Sequence, residues 1–236
     1  MKNKYTAIVL AAGKGKRMNS AVSKQYMELN GKPILYYSLK AFEESPVEQI
    51  ILVTGKDDIE YCKKEIVEKY GLKKVSEIVS GGKERYDSVF NGLKAAQGAE
   101  YVLIHDGARA FLNGAIIENC MEDVIQSKAC TAAVPVKDTI KKVDGNQMGV
   151  ETPERSCLWT IQTPQAFSYE LIWQAYEKLH KEQDQACAPS VTDDTMLVEH
   201  YMNKPAHMVM GSYFNIKVTT PEDMIFGKAI LDSESI

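Results

Sequence analysis

The sequence predicts an α/β protein built on a parallel, doubly wound sheet, and three observations predict it. Four short segments are apolar, rich in β-branched residues, and run into glycine or polar turns. Helical stripes alternate with them. The polar motifs fall where these segments end. Apolar runs of this kind suit strands buried on both faces of a sheet. Their alternation with helices implies parallel crossovers, and such sheets bind ligands beyond the carboxyl ends of their strands.

The predicted strands are "TAIVLAA" (6–12), "QIILVTG" (49–55), "VSEIVSG" (75–81) and "YVLIHDG" (101–107). Pro33 opens the first helix, followed at helical spacing by Leu35, Leu39 and Phe42. Ile59, Cys62, Ile66 and Tyr70 form a second stripe, closed by Gly71. Val89, Leu93 and Ala96 form a third, closed by Gly98, and Asn113 caps a fourth that carries Ile116, Cys120 and Val124. "TAAVPV" (131–136) reads as a further strand. The pattern then breaks: residues 137–159 show Asp-Gly turn chemistry between two β-like arms but too few apolar residues for a core. A two-stranded ribbon is marginal alone in water, so this one must lie on the rest of the chain or on a second subunit. Helix returns at "YELIWQAYEKLH" (169–180). Thr192 is expected to cap the next helix, with Asp193 and Asp194 in its first turn. "HMVM" and "NIKV" read as strands, and "TPED" (220–223) starts a last helix carrying Met224, Ile225 and Ile230.

A length of 236 residues suits one large domain or one domain plus a small appendage, and 44% hydrophobic with 25% charged residues is ordinary for a globular chain with a full core. A net charge of −4 argues against a general nucleic-acid or membrane-surface binder. The five cysteines (Cys62, Cys120, Cys130, Cys157 and Cys187) have no metal-ligand spacing and read as free thiols in a reducing cytoplasm. The apolar run near the N-terminus is short and meets "GKGKR" at once, so it reads as a core strand rather than a signal peptide. No apolar run approaches the roughly 20 residues that span a membrane.

Three glycine-bearing strand ends carry the chemistry. "GKGKR" has neither the spacing of a Walker A loop nor the third glycine of a dinucleotide fingerprint. Gly13 and Gly15 still let the backbone approach a ligand and present its N–H groups. Arg17 and Lys24 add positive charge, whereas Lys14 and Lys16 can equally be solvated turn residues. "SGGKERYDSV" (80–89) runs into a helix expected to begin near Asp87 and Ser88, where Ser88 either serves a ligand or only caps the helix. "IHDGARA" (104–110) places Asp106 to hold Mg²⁺ or ribose hydroxyls, and Arg109 to pair with it or with phosphate. Thr139, Arg155, Thr163 and Lys217 are weaker candidates individually. No HxxxH pair, nucleophile elbow or cysteine dyad is present.

Taken together, "AAGKGKRM", "KQYMEL", "GGKERYDSV", "HDGAR", "VKDTIK", "ERSCLWTIQTPQAF", "VTDDTMLVE" and "NIKVTTPED" resemble the 2-C-methyl-D-erythritol 4-phosphate cytidylyltransferase family, in its motif order and over residues 7 to about 223. The resemblance implies one nucleotidyltransferase domain, of the nucleotide-diphospho-sugar transferase-like type. It has a mostly parallel sheet and a protruding β-arm at 137–159 through which a cytoplasmic homodimer forms. The implied reaction joins CTP and 2-C-methyl-D-erythritol 4-phosphate with the help of a divalent metal, usually Mg²⁺. Matched by motif, Arg17 and Lys24 look like the cations that stabilise the reacting phosphate. Lys217 and Arg155 look like the pair that positions the sugar phosphate, Arg155 being donated across the dimer. Ala11, Ala12, Gly13, Gly15, Gly82 and Ser88 resemble the nucleotide pocket, and Asp106 the residue near ribose and metal. Arg109, Thr139, Thr163 and Thr192 resemble further substrate contacts.

Two departures from the family pattern stand out: Ser23 where proline usually precedes "KQY", expected to loosen the aim of Lys24, and Ala110 where "ARP" is usual, expected at the mouth of the site. "QTPQ" is also found in ribitol-5-phosphate cytidylyltransferases of teichoic acid synthesis. "ERYDSV" and "LWTIQTPQAF" favour the erythritol enzyme, and the joint presence of Arg17, Lys24, Arg155 and Lys217 argues against an inactive nucleotide-binding scaffold.

Overall fold

The computed structural model describes residues 4–13, 23–183 and 191–233. Strand β1 (Tyr5–Ala11) is central, and the chain next described is a single-turn 3-10 helix, Lys24–Tyr26. A small hairpin follows, β2 (Glu28–Leu29) and β3 (Lys32–Pro33). Its turn residues Asn30 and Gly31 have φ of 49° and 73°, the left-handed pair that an Asn-Gly hairpin turn requires. Helix α1 (Ile34–Glu43) then leads to β4 (Gln49–Thr54).

The stripe read as one helix over 59–70 divides into α2 (Ile59–Tyr61) and a π-helical stretch, Cys62–Glu68. After β5 (Val75–Ser80), α3 (Arg85–Ala95), β6 (Tyr101–Asp106), α4 (Gly114–Ser127) and β7 (Ala129–Pro135) complete the alternating part of the chain. Asn113 caps α4 as expected, its side chain accepting from Ile116 N–H.

The arm contains β8 (Lys142–Val143) paired antiparallel with β9 (Gly149–Glu151). Its turn is longer than an Asp-Gly pair: Asp144 and Met148 close it, and Gln147 rather than Gly145 has positive φ, at 65°. Residues 137–152 are all exposed, so the ribbon does not lie on its own chain.

The rest comprises β10 (Trp159–Ser168), α5 (Tyr169–Gln183), α6 (Asp194–Met202), β11 (His207–Met210) and α7 (Pro221–Asp232). "NIKV" is not a strand. Residues 215–218 run as irregular chain, held where Val218 N–H donates to Ala108 O at 2.9 Å. Among the described residues, no helix is long and apolar enough to cross a membrane.

The seven-stranded sheet has the order β11-β7-β10-β6-β1-β4-β5. Its pairs are parallel except those of β10, which runs antiparallel to both β6 and β7. Sequence reasoning missed β10 because Pro164 and the polar residues of "TIQTPQ" break the apolar pattern of a central strand. The strand accommodates them with a register shift between Ile161 and Gln165.

Successive side chains of a strand point to opposite faces, and the two faces bury separate cores. Ala7, Val9, Ile50, Leu52 and Leu103 pack against Leu39 of α1 and Ile117 of α4. Ile8, Ile51, Val53, Val102 and Ile104 pack against Leu93 of α3, Tyr176 of α5 and Leu197 of α6. The sheet is therefore covered on both sides, as a doubly wound fold requires. Strand β5 differs from expectation: it lies at the sheet edge and is half-exposed.

Candidate active site

The carboxyl ends of β1, β5 and β6 converge on a cavity of about 580 Å³ whose lining includes Ala11, Ala12, Gly13, Lys24, Gly82, Ser88, Asp106 and Lys217. The turn after β5 closes tightly on β1. A Cβ on Gly81 would lie 2.4 Å from Ala12 Cβ, and one on Gly82 would lie 2.2 Å from Asp87 Cβ, so both positions need glycine. Ser88 is not a cap. It lies inside α3, where its hydroxyl accepts from Gly82 N–H at 3.1 Å and donates to Glu84 O at 3.2 Å. Helix α3 starts two residues earlier than expected, at Arg85, with Glu84 and Asp87 forming a capping box.

Ser23 has φ −58° and ψ 135°, values that proline itself would impose. The backbone that leads into Lys24 thus has the proline-like shape without the proline, and the expected loosening is not needed to accommodate serine. Ala110 is buried in the cluster of Leu29, Phe111 and Val218 rather than set at the mouth of the site.

A second cavity, of about 500 Å³, adjoins the first and includes Arg109, Thr163, Gln165, Thr192 and Glu199 in its lining. Arg85, Asp106 and Lys217 line both. Lys217 Nζ lies 2.6 Å from Asp106 Oδ2, and Arg85 Nε lies 3.4 Å from Asp106 Oδ1. Burial opposes ionisation of Asp106, but Arg85, then Lys217 and Arg109, outweigh it and hold its carboxyl well below the usual range. The terminal nitrogens of Arg85 grip Asp194 at 2.9 and 2.8 Å, a bidentate pairing of the strong kind. Burial disfavours the Arg85 cation, and Asp194 and Asp106 overcome that penalty.

The second cavity is braced from behind by a neutral histidine. His105 is fully buried, and burial pushes it down to about 4. Its Nε2 faces Arg109 O at 3.3 Å, so that nitrogen carries the proton. Nδ1 then accepts from the Thr163 hydroxyl at 3.0 Å, while Thr163 Oγ1 accepts from Asp106 N–H at 3.1 Å. Lys217 is placed by side-chain ties rather than by a strand: Arg109 donates to Asn215 O at 2.7 Å, and Asn215 Nδ2 donates to Thr163 O at 2.9 Å.

A family profile described as 2-C-methyl-D-erythritol 4-phosphate cytidylyltransferase matches residues 5–233. The chain belongs to this family. A cytidylyltransferase of that name from Lachnospira eligens is 54% identical over 220 residues, covering 93% of this chain and 95% of the relative. The solved 4-diphosphocytidyl-2C-methyl-D-erythritol synthase of Anaerococcus prevotii matches with a TM-score of 0.84 at 37% identity, covering 98% of this chain and 96% of that one. The 2-C-methyl-D-erythritol 4-phosphate cytidylyltransferase of Francisella tularensis matches with a TM-score of 0.78 at 27% identity, covering 96% and 99%. The seven-stranded, mostly parallel sheet is thus the sheet of the 2-C-methyl-D-erythritol 4-phosphate cytidylyltransferases.

Of the residues singled out for this cytidylyltransferase site, Ala11, Ala12, Gly13, Lys24, Gly82, Ser88, Asp106 and Lys217 line the first cavity, and Arg109, Thr163 and Thr192 the second. Thr192 does so without capping α6; Asp193 is the cap, accepting from Met196 N–H. Thr139 and Arg155 line neither cavity and are exposed on the arm, where Arg155 donates to Lys137 O at 3.1 Å. Arg17 and Gly15 lie outside the described residues.

Sequence reasoning passed over Arg85, whose partner Asp194 is 109 residues away. The signal was the arginine three residues after the glycine pair, within a motif already quoted. No group of three metal-ligating side chains occurs among the described residues. Mg²⁺ ordinarily takes one or two carboxylates plus substrate phosphates, and Asp106, on the wall shared by both cavities, offers a carboxylate that fits such a share.

Proposed function

We propose that this chain transfers the cytidylyl group of CTP to 2-C-methyl-D-erythritol 4-phosphate in the cytoplasm. The products are 4-diphosphocytidyl-2-C-methyl-D-erythritol and pyrophosphate, a step of non-mevalonate isoprenoid biosynthesis. The observation that carries the reading is the pair of adjoining cavities divided by Arg85, Asp106 and Lys217, in a member of this family. CTP takes the cavity at the ends of β1 and β5, and the sugar phosphate takes the one bounded by Arg109 and Thr163.

A phosphate oxygen of the sugar phosphate attacks the α-phosphorus of CTP. The new P–O bond forms as the bond to the β,γ-pyrophosphate breaks, and pyrophosphate leaves with the electron pair. The nucleophile is already ionised at neutral pH, so no general base is needed. What the protein must supply is alignment and positive charge between two anions. Lys24 and Arg17 offset charge on the α-phosphate and the leaving group, and Lys217 steadies the incoming phosphate. Asp106 would hold Mg²⁺ together with the triphosphate, and a cation bound there neutralises phosphate charge. Coupled pyrophosphate release, compared between 2-C-methyl-D-erythritol 4-phosphate and ribitol 5-phosphate, tests the assignment. Faster turnover of ribitol 5-phosphate would overturn it.

The whole chain acts as one catalytic unit that works as a homodimer, its arm reaching the partner's site with Thr139 and Arg155. Exposure of Ile140, Val143, Met148 and Val150 on the arm supports a covering surface elsewhere than on its own chain. Mixing Lys24→Ala with Arg155→Ala subunits should restore activity, because a heterodimer keeps one intact composite site. Heterodimers that form yet remain inactive would exclude the shared site.

A further inference from the structure

Gln25 follows the cation Lys24 directly, yet the residue is only 2% exposed. Its Nε2 donates to Ala11 O at 2.6 Å. Ala11 ends β1 and, with Ala12 and Gly13, lines the nucleotide cavity. One buried hydrogen bond therefore joins the turn that carries Lys24 to the backbone against which CTP would lie.

The next residue is anchored as well. The Tyr26 hydroxyl lies 2.7 Å from Thr54 Oγ1 and 3.3 Å from Cys62 Sγ, and donates to Asp58 Oδ2 at 3.2 Å. Burial and the neighbouring Cys62 keep this phenol protonated and able to donate. Tyr26 thus ties the turn to β4 and the π-helical segment, whereas Gln25 alone among these anchors ties it to the nucleotide side. Backbone bonds from Tyr26 N–H to Ser23 O at 2.9 Å and from Met27 N–H to Lys24 O at 3.2 Å close the turn.

We infer that Gln25 is a positioning residue that sets the Lys24 ammonium against the nucleotide phosphates through its hydrogen bond to the Ala11 carbonyl. Gln25 is buried, so turning its amide away would cost it this bond and leave the Ala11 carbonyl without that partner on the cavity wall. Small displacements of a charge-stabilising group are costly to rate, and Lys24 leaves the chain one residue from this bond. The inference rests on the role proposed above for Lys24.

Gln25→Met keeps the side-chain length and removes the donor. Its kcat, CTP affinity by direct titration, and Tm should be measured in the wild-type and Lys24→Ala backgrounds. In the wild-type background kcat should fall about 10- to 100-fold with CTP affinity changed less than about threefold. In the Lys24→Ala background the further loss should stay below about twofold, since a residue that acts only through Lys24 has nothing left to position. An equal loss in both backgrounds, or a kcat near wild type, overturns the inference. If Gln25→Met does not fold, Gln25→Asn carries the same cycle, because it keeps the amide but falls one carbon short of Ala11. Lys24→Ala alone reads the underlying assignment: an undiminished kcat there overturns the role of Lys24 and this inference with it. A large Lys24→Ala loss with an additive Gln25 effect overturns the inference alone.

Discussion

Lys24→Ala should lower kcat by about 10²- to 10³-fold, a loss of roughly 3–4 kcal/mol of transition-state stabilisation, while CTP affinity changes little. The split follows from when the charge appears. Negative charge on the departing pyrophosphate grows only as the α-phosphorus bond breaks, so a cation aimed there acts mainly on the transition state. On the proposed reading, ground-state binding would be spread over other parts of the first cavity, whose lining also includes the glycine turn held by Ser88. The turn that presents Lys24 is closed by its own backbone bonds and entered through Ser23 in a proline-like conformation, so the alanine variant should keep its fold. Single-turnover rates at saturating CTP, set beside a CTP titration, check this. Unchanged turnover would remove Lys24 from the mechanism, and equal losses in rate and affinity would make it a binding residue only.

What the sequence made legible, and what it hid, divides along the range of the interactions involved. Strands β1, β4 and β6 were readable because burial on both faces leaves an unbroken apolar run. The capping residues Asn113 and Thr220 were readable because capping is a bond to a neighbour three residues on. Strand β10 was not readable, since its place between β6 and β7 comes from pairing with segments far off in the chain, and its own residues include Pro164 and two glutamines. Lys217 lines both cavities, but not from the strand end that was expected: the long-range ties of Arg109 and Asn215 hold its segment. Gly13, Gly82 and Asp106, which line the cavities, were legible because they sit on glycine turns, where backbone approach restricts composition. Arg85 and Gln25 bond to partners that periodicity does not reveal.

Arg85→Met should destabilise the fold by about 3–5 kcal/mol, the usual result of removing one member of a buried ion pair. Asp194 has a side chain of zero exposure. Without Arg85 it keeps the Tyr176 hydroxyl at 2.5 Å and its place in the first turn of α6, which are too few interactions to sustain a buried carboxylate. Replacing both members should restore most of the loss, because two neutral groups of similar volume incur no charge-desolvation penalty. The double variant Arg85→Met with Asp194→Asn is thus expected to unfold near the wild-type midpoint in urea while the single variant unfolds well below it. Activity should not return with stability. Both variants lack the Arg85 contact to Asp106 Oδ1 on the wall between the cavities, where burial then acts against the Asp106 carboxylate with one fewer cation to oppose it. A double variant as unstable as the single one would place the loss outside the ion pair. A double variant with full stability and full activity would reduce Arg85 to a structural strut that happens to face the site.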